Sequence, residues 1–157
     1  MTKTPTEPTV IESADVKWAT FMAQLQAAEE QFVRRQPAAF KALWSNAEDI
    51  SICGAFGGVV KGRDEVGQRL DWASAHFSEG TRSRKEISVV RGSNLAHVVQ
   101  TEWIRYRPAD QSEFATLSLR VSMAFRLEED GWRILHRHAD PIMDVAPASG
   151  SRSMAPE

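Results

Sequence analysis

Hydrophobic positions recur every three or four residues over residues 13–34, and this spacing predicts a long amphipathic helix. Ser13 or Asp15 can cap its start, because a short polar side chain can accept a hydrogen bond from a free backbone amide of the first turn. Pro37 suits the first turn of a second, short helix. A third helix is predicted over residues 64–76 from the same periodicity.

The remaining hydrophobic pattern alternates, which is typical of β-strands. Residues 49–53 predict a first strand, and the glycine-rich segment after it turns into a return strand over residues 58–62. Four longer alternating stretches follow, joined by short turns, at residues 84–91, 95–107, 113–127 and 132–142. Strands of this length with short connections predict an antiparallel meander. Because helices come first and strands later, the predicted class is α+β.

Composition narrows the class of protein. The chain has 157 residues, a length that fits one domain. Its 19 Lys and Arg residues against 21 Asp and Glu residues argue against nucleic-acid binding, because such domains usually carry a basic excess. A single cysteine excludes a disulfide framework and a cysteine-rich zinc site. We find no dinucleotide-binding glycine motif or phosphate-binding loop, so no cofactor is predicted.

The two ends differ from the middle in composition. We predict a disordered arm over residues 1–11, one folded domain over residues 12–144 and a disordered tail over residues 145–157, which is rich in Pro, Ser, Gly and Ala. The start lacks the apolar core of a signal peptide, and no apolar stretch is long enough to span a bilayer. Together with the free Cys53, these features predict a cytoplasmic protein without membrane or nucleic-acid partners.

Two groups of motifs occur in the order expected of one known superfamily. The first group comprises Trp44, the DISI run that Asp49 begins, the glycine-rich hairpin ending at Lys61-Gly62 and the helix start RDEV from Arg63. The second comprises LRVSMAFR at residues 119–126 and GWRILHRHADP at residues 131–141. The first group resembles the NTF2-like superfamily, and the second resembles its SnoaL-like branch of ketosteroid-isomerase-like proteins.

This resemblance implies a cystatin-like cone, in which a curved antiparallel sheet wraps around the helices and encloses a pocket. It also implies a homodimer that pairs through the outer face of the sheet. The superfamily includes steroid isomerases, polyketide cyclases, dehydratases and non-catalytic assembly domains, so membership does not select a function.

The last predicted strand carries the strongest candidates for chemistry. Trp132, Ile134, His136, His138 and Asp140 lie on one face if the strand is regular. The resemblance puts His138 inside the cone. A histidine there can act as a general acid or base, or as a hydrogen-bonding group for a ligand, because it titrates near neutral pH. A structural histidine bonded to a neighbouring element is the alternative. His136 is a second candidate for ligand binding.

The run from His136 through His138 to Asp140 also suggests a metal site, because alternate side chains of a strand can converge on one ion. Pro141 ends the ladder directly after Asp140, and neither another histidine nor a cysteine is obviously paired with these residues. We therefore predict no metal site.

An arginine and a glutamate in the middle of two predicted strands are further candidates. If Arg120 faces inward, it needs an anionic partner, which Glu102 or a ligand carboxylate or phosphate can supply. If it faces outward, it lies at a dimer interface. Asp49 is either a pocket acid or a solvated residue at the edge of a strand. Aromatic side chains that can line the pocket or simply fill the core are Trp18, Phe21, Trp44, Trp72 and Trp103.

Ketosteroid isomerases of this fold keep a carboxylate base just past the first strand and a tyrosine on the first helix. Here the first strand ends through Cys53 and Gly54, with no carboxylate there. The first helix has no tyrosine, because the only tyrosine of the chain is Tyr106. The first functional hypothesis is a small-molecule-binding protein with cofactor-free isomerase, cyclase or hydrolase activity, using His138 with Glu102 or Asp49. The second is a non-catalytic ligand-binding or association module.

Overall fold

Three helices precede most of the sheet in a computed structural model that describes residues 13–143. They are α1 (Ala14–Phe32), α2 (Ala38–Ala42) and α3 (Arg63–Ser74). Ser13 caps α1 as predicted, because its side chain accepts a hydrogen bond from the backbone amide of Val16 at 3.2 Å. The predicted arm and tail lie outside the described residues. No helix in the described part of the chain is long and apolar enough to cross a membrane.

Six strands form one curved sheet in the order β2-β1-β6-β5-β4-β3. Their bounds are β1 (Ser51–Cys53), β2 (Val59–Lys61), β3 (Thr81–Arg91), β4 (Leu95–Tyr106), β5 (Ala115–Glu128) and β6 (Gly131–Pro141). Strands β3 to β6 form the predicted antiparallel meander. The short β1 pairs antiparallel with β2 but parallel with β6, which places the hairpin beside the last strand. The fold is the α+β cone that the sequence predicts.

A β-bulge at Leu135 divides β6 into two halves. Phe125 of β5 pairs with Ile134, but the next residue, Ala124, pairs with His136, so Leu135 is the extra residue. Trp132 and Ile134 before the bulge are buried on the face that packs against the helices, which we call the inner face. After the bulge, the side chains alternate with the opposite parity.

The aromatic part of the core fills one end of the cone. Trp18 of α1 lies 5.4 Å from Phe125 and 5.0 Å from Trp132, both edge to face, and Phe21 packs on Phe125 at 5.6 Å between ring centroids. Edge-to-face pairs of this kind stabilise a core beyond their buried area. This cluster closes that end, so the internal space of the cone lies towards the C-terminal end of α1.

Candidate functional site

A pocket opens between α1, α3, the segment after β1 and the inner face of the sheet. The centre of a water molecule can occupy about 80 Å³ of this pocket. A cavity needs roughly 10–15 Å³ of such space to hold one water, so the pocket has room for a larger molecule. Its rim is aromatic: Trp72 is 47% exposed and contacts Phe56 edge to face at 5.8 Å, and Phe56 in turn packs on Phe77. An apolar wall with few polar groups is typical of small-molecule sites.

The floor of the pocket is a buried ion cluster centred on Glu102, which is 0% exposed. Its carboxylate accepts hydrogen bonds from Arg137 Nη1 and Nη2 at 3.0 and 2.8 Å, and from Arg82 Nη2 at 2.7 Å. Gln100 donates a further bond at 2.6 Å. Burial opposes the ionisation of Glu102, but the two guanidinium groups outweigh it and hold the pKa of this carboxyl well below its usual range. Glu102 is therefore a fixed anion.

Glu29 of α1 is the fourth charged group of the floor, and its environment differs from that of Glu102. Its Oε2 lies 2.9 Å from Arg82 Nη2, whereas its Oε1 is 3.6 Å from Arg137 Nη1 and accepts no hydrogen bond from any residue between 13 and 143. Burial has the largest effect on the pKa of Glu29, and it disfavours the charged form. The positive charge of Arg82 lowers this pKa, but burial and the negative charge of Glu102 together raise it to about 7. Glu29 can therefore exchange a proton near neutral pH.

The four charged residues and Gln100 meet because of their positions on the sheet and on α1. Glu102 and Gln100 point inward from β4, and Arg82 points inward from the adjacent β3. Arg137 reaches the cluster from β6 only because the bulge at Leu135 turns its side chain inward. When Glu29 is protonated, two guanidinium groups face one carboxylate, so the floor carries a net positive charge. It then favours a ligand group that is negatively charged or is a strong hydrogen-bond acceptor.

The bulge also turns the predicted histidine face outward. His136, His138 and Asp140 lie on the outer face, away from the helices, and the side chain of His138 is 49% exposed. This differs from the prediction that they share the face of Trp132 and Ile134, which holds only before the bulge. His136 Nδ1 lies 2.8 Å from Ser51 Oγ, and His138 Nε2 lies 3.2 Å from Asp140 Oδ1.

The predicted pairing of Arg120 with Glu102 does not form. Arg120 lies opposite Thr101 on the outer face, with a side chain that is 66% exposed and 3.5 Å from Asp140. The strand alternates regularly here, so Arg120 and the inward residues of β5 are on opposite sides. Asp49 is exposed and is paired with Arg126 at 2.7 Å, which holds the pKa of its carboxyl below the usual value.

The predicted aromatic residues are in different parts of the molecule. Trp72 alone among them lines the pocket described above. Trp18 and Phe21 belong to the aromatic core, and Trp44 is buried below α2, where its main chain bridges to Ile134. Trp103 lies on the outer face of β4 and is 37% exposed.

Three residues of the pocket floor were missed from sequence: Glu29, Arg82 and Arg137. Glu29 carried a detectable signal, because it occupies a position on the apolar stripe of α1 four residues after Leu25. A lone carboxyl at such a position predicts either a buried partner or a functional group. Arg82 and Arg137 lie in strands with many other charges and had no comparable signal.

Comparisons with known proteins agree with this architecture. Residues 22–144 match the model of the family described as SnoaL-like domain. None of the curated proteins compared with the chain matches it.

Solved structures with the same fold come from several bacteria. An NTF2-like superfamily protein of Salmonella enterica has a TM-score of 0.70 and 16% identity, covering 88% of this chain and 99% of its own. A candidate dehydratase of the NTF2-like family from Streptomyces avermitilis has a TM-score of 0.70 and 19% identity, covering 84% and 100%. A candidate calcium/calmodulin-dependent protein kinase II association domain from Thiobacillus denitrificans has a TM-score of 0.65 and 17% identity, covering 80% and 94%. With the family match over most of the folded residues, the chain belongs to the SnoaL-like family and has the NTF2-like fold.

Proposed function

We propose that the chain binds a small molecule in the pocket of the cone, and that Glu29 donates a proton to that molecule or accepts one from it. The observation that carries the proposal is the carboxyl of Glu29, which is buried, borders the pocket and leaves Oε1 without a hydrogen bond among residues 13–143. A pKa of about 7 makes both protonation states accessible at neutral pH, as a general acid–base group requires.

The proposed ligand has an apolar body and one carbonyl or carboxylate group. The apolar body fits the aromatic wall that includes Phe32, Phe77 and Trp72. The oxygen of the polar group lies at the floor, where protonated Glu29 can donate a hydrogen bond to it. Arg82 and Arg137 stabilise negative charge that develops on that oxygen, although both are held mainly by Glu102. In its ionised form Glu29 can take a proton from the carbon next to the carbonyl, which breaks the C–H bond and leaves the electron pair in an enolate whose oxygen faces Arg82 and Arg137. Glu29, now protonated, returns the proton to carbon. This is the first step of isomerisation and of some dehydrations, and it needs no cofactor.

The experiment is proton exchange at carbon. Cyclic and aromatic ketones are incubated with the protein in D₂O, and loss of the signal of the α-proton is followed by NMR. We expect exchange with the wild type and a rate about 10² to 10⁴ times lower with Glu29→Gln, the range that a general acid–base group typically supplies. Glu30→Gln is the matched control, because Glu30 is the next residue of α1 and is partly exposed. Equal rates for all three proteins would overturn the role of Glu29.

A second candidate function is ligand binding without catalysis, in a protein that serves as an association module. It is supported by the similarity to a structure described as a kinase association domain. Thermal-shift and NMR binding assays with the same ketones and with aromatic carboxylates separate the two functions. Binding that survives in Glu29→Gln, with no exchange in either protein, supports the non-catalytic function.

His138 and Asp49 are not used in this proposal, although the sequence predicts catalytic roles for them, because both lie outside the pocket lining. Neither His138→Gln nor Asp49→Asn should change the exchange rate in the D₂O experiment. A loss of exchange in either variant would show that the substituted residue has a catalytic role after all.

We further propose that two copies associate through the outer face at β3 and β4, in the cytoplasm. Three large apolar side chains, Val90, Leu95 and Trp103, are exposed on that face, and apolar residues of this kind contribute most at interfaces when they are buried. Light scattering of the purified protein should give twice the mass of the chain, and Trp103→Asp should give the mass of a single chain. A monomeric wild type at micromolar concentration contradicts this proposal.

A further inference from the structure

The outer face holds a second cluster of reactive side chains, at the junction of β1 and β6. The two strands are parallel, with Ser51 opposite His136 and Cys53 opposite His138. One donor atom from each of Cys53, His136 and His138 lies within 4.8 Å of the others. The sequence gives no reason to expect this, because Cys53 and the histidines are more than 80 residues apart in the chain. Parallel pairing of the first strand with the last brings them together.

We propose that Cys53, His136 and His138 form a binding site for a borderline-soft divalent metal ion such as Zn²⁺ or Co²⁺. One thiolate and two imidazole nitrogens are ligands that such ions prefer over Mg²⁺ or Ca²⁺, which select oxygen. Three ligands from the protein leave one tetrahedral position for water or another small ligand.

In each imidazole ring, one nitrogen has a hydrogen-bonding partner and the other is left for a metal ion. Ser51 Oγ occupies Nδ1 of His136 at 2.8 Å, which leaves Nε2 of that ring for the metal. Asp140 Oδ1 lies 3.2 Å from Nε2 of His138, which leaves Nδ1. Metal-bound histidines almost always use their second nitrogen in this way, and a carboxylate partner makes the ligand a stronger donor. The contacts of Ser51 and Asp140 therefore have the form of an outer coordination shell.

The geometry requires only a small adjustment. Ligand atoms of a tetrahedral zinc site are about 3.3–3.6 Å apart, as follows from bond lengths of about 2.0 and 2.3 Å. The three donor atoms are at most 4.8 Å apart, so side-chain rotations that move them by about 1 Å complete the site. The backbone contributes rigidity, because all three residues belong to hydrogen-bonded strands. His138 is exposed, which gives an ion access from solvent.

The test uses the full chain without an affinity tag, reduced, stripped of metal and kept free of oxygen. Co²⁺ titration should give one equivalent of bound metal with two signatures: a thiolate-to-cobalt charge-transfer band in the near ultraviolet and intense visible bands of four-coordinate cobalt. Addition of Zn²⁺ should remove both. Absence of the charge-transfer band in the wild type overturns the proposal.

Variants identify the ligands. Cys53→Ser should lose the charge-transfer band, and His138→Gln should weaken Co²⁺ binding at least about tenfold. His97→Gln is the matched control on the same face, where His97 bonds to Ser122 at 2.8 Å, and it should bind Co²⁺ like the wild type. If Cys53→Ser fails to fold, His138→Gln decides alone, because its exposed side chain can be replaced without disturbing the core. Wild-type affinity in His138→Gln overturns the assignment.

Discussion

Arg137 on β6 forms a two-pronged ion pair with Glu102 on β4, across the whole width of the intervening strand β5. Met123 of β5 lies below the pair, with its sulfur 3.6 Å from Arg137 Nη1. Glu102 is fully buried and the side chain of Arg137 is only 15% exposed, so each charge depends on the other for much of its solvation.

Removing one charge of this pair should cost far more than a surface ion pair would. Glu102→Gln keeps the shape of the side chain but leaves two guanidinium groups facing a neutral amide. We expect the free energy of unfolding to fall by about 3–5 kcal/mol, the usual cost of an uncompensated buried charge. Urea unfolding at pH 7 measures it. The control is Asp49→Asn at the exposed pair with Arg126, which should cost less than about 1 kcal/mol. Similar losses for both variants would contradict the role of burial.

The raised pKa of Glu29 predicts a specific pH dependence of stability. The folded state holds this proton up to about pH 7, whereas the unfolded chain releases it near the usual carboxyl pKa of 4.5. Between these two values the folded state binds more protons, so its stabilisation by Glu29 is complete below the unfolded pKa and is lost as the pH rises towards 7.

Comparison with Glu29→Gln isolates this effect, because other titrating groups cancel. The free energy of unfolding of the wild type, relative to that of the variant, should decrease by a few kcal/mol between pH 4.5 and pH 7. Unfolding curves in urea across that range measure the difference. A pH-independent difference would mean that Glu29 ionises in the folded state as it does in the unfolded chain.

Gly80 lies where α1 and the start of the sheet come closest. Its amide donates to the carbonyl oxygen of Val33 at 3.0 Å, and a Cβ at this position would lie 2.7 Å from Val33 Cβ and closer still to the carbonyl oxygen. Gly80→Ala should therefore destabilise the fold by about 1–3 kcal/mol through overpacking. Thermal unfolding should show a clear drop in Tm.

Gly67 gives the opposite expectation within the same protein. It lies inside α3, and among residues 13–143 an added Cβ would meet only Lys41 Cε, at 3.9 Å, apart from the backbone of α3 itself. Gly67→Ala should stabilise the protein by about 0.5–1 kcal/mol, because alanine loses less backbone entropy in a helix. A decrease in Tm for Gly67→Ala would show that α3 has constraints beyond these contacts.

The order and type of the elements could be predicted because each depends on local patterning. The period of α1, the cap at Ser13 and the alternation in β4 are properties of neighbouring residues, and the structure confirms them. The parallel pairing of β1 with β6 was not predictable in this way. The residues of a short hairpin do not indicate which distant strand the hairpin will pair with.

The candidate site could be predicted only in part. Glu102 was identified from its place in the middle of a strand, as a possible partner of Arg120, but its true partners were not, because one extra residue at Leu135 exchanges the faces of β6. The resemblance put His138 inside the cone, and the alternation that groups it with Trp132 and Ile134 is correct only for a regular strand. Period-two reasoning cannot locate a bulge, which depends on the register with β5.

Successive side chains of the segment from His136 to His138 lie on opposite faces of the sheet. Arg137 ends in the pocket floor, and its two neighbours in the chain end in the proposed metal site on the other side. One strand thus separates the two sites, and three successive residues share its backbone. A ligand that moves this stretch of backbone moves it for both sites, and any change that one ligand makes in the affinity of the other is returned by the same factor.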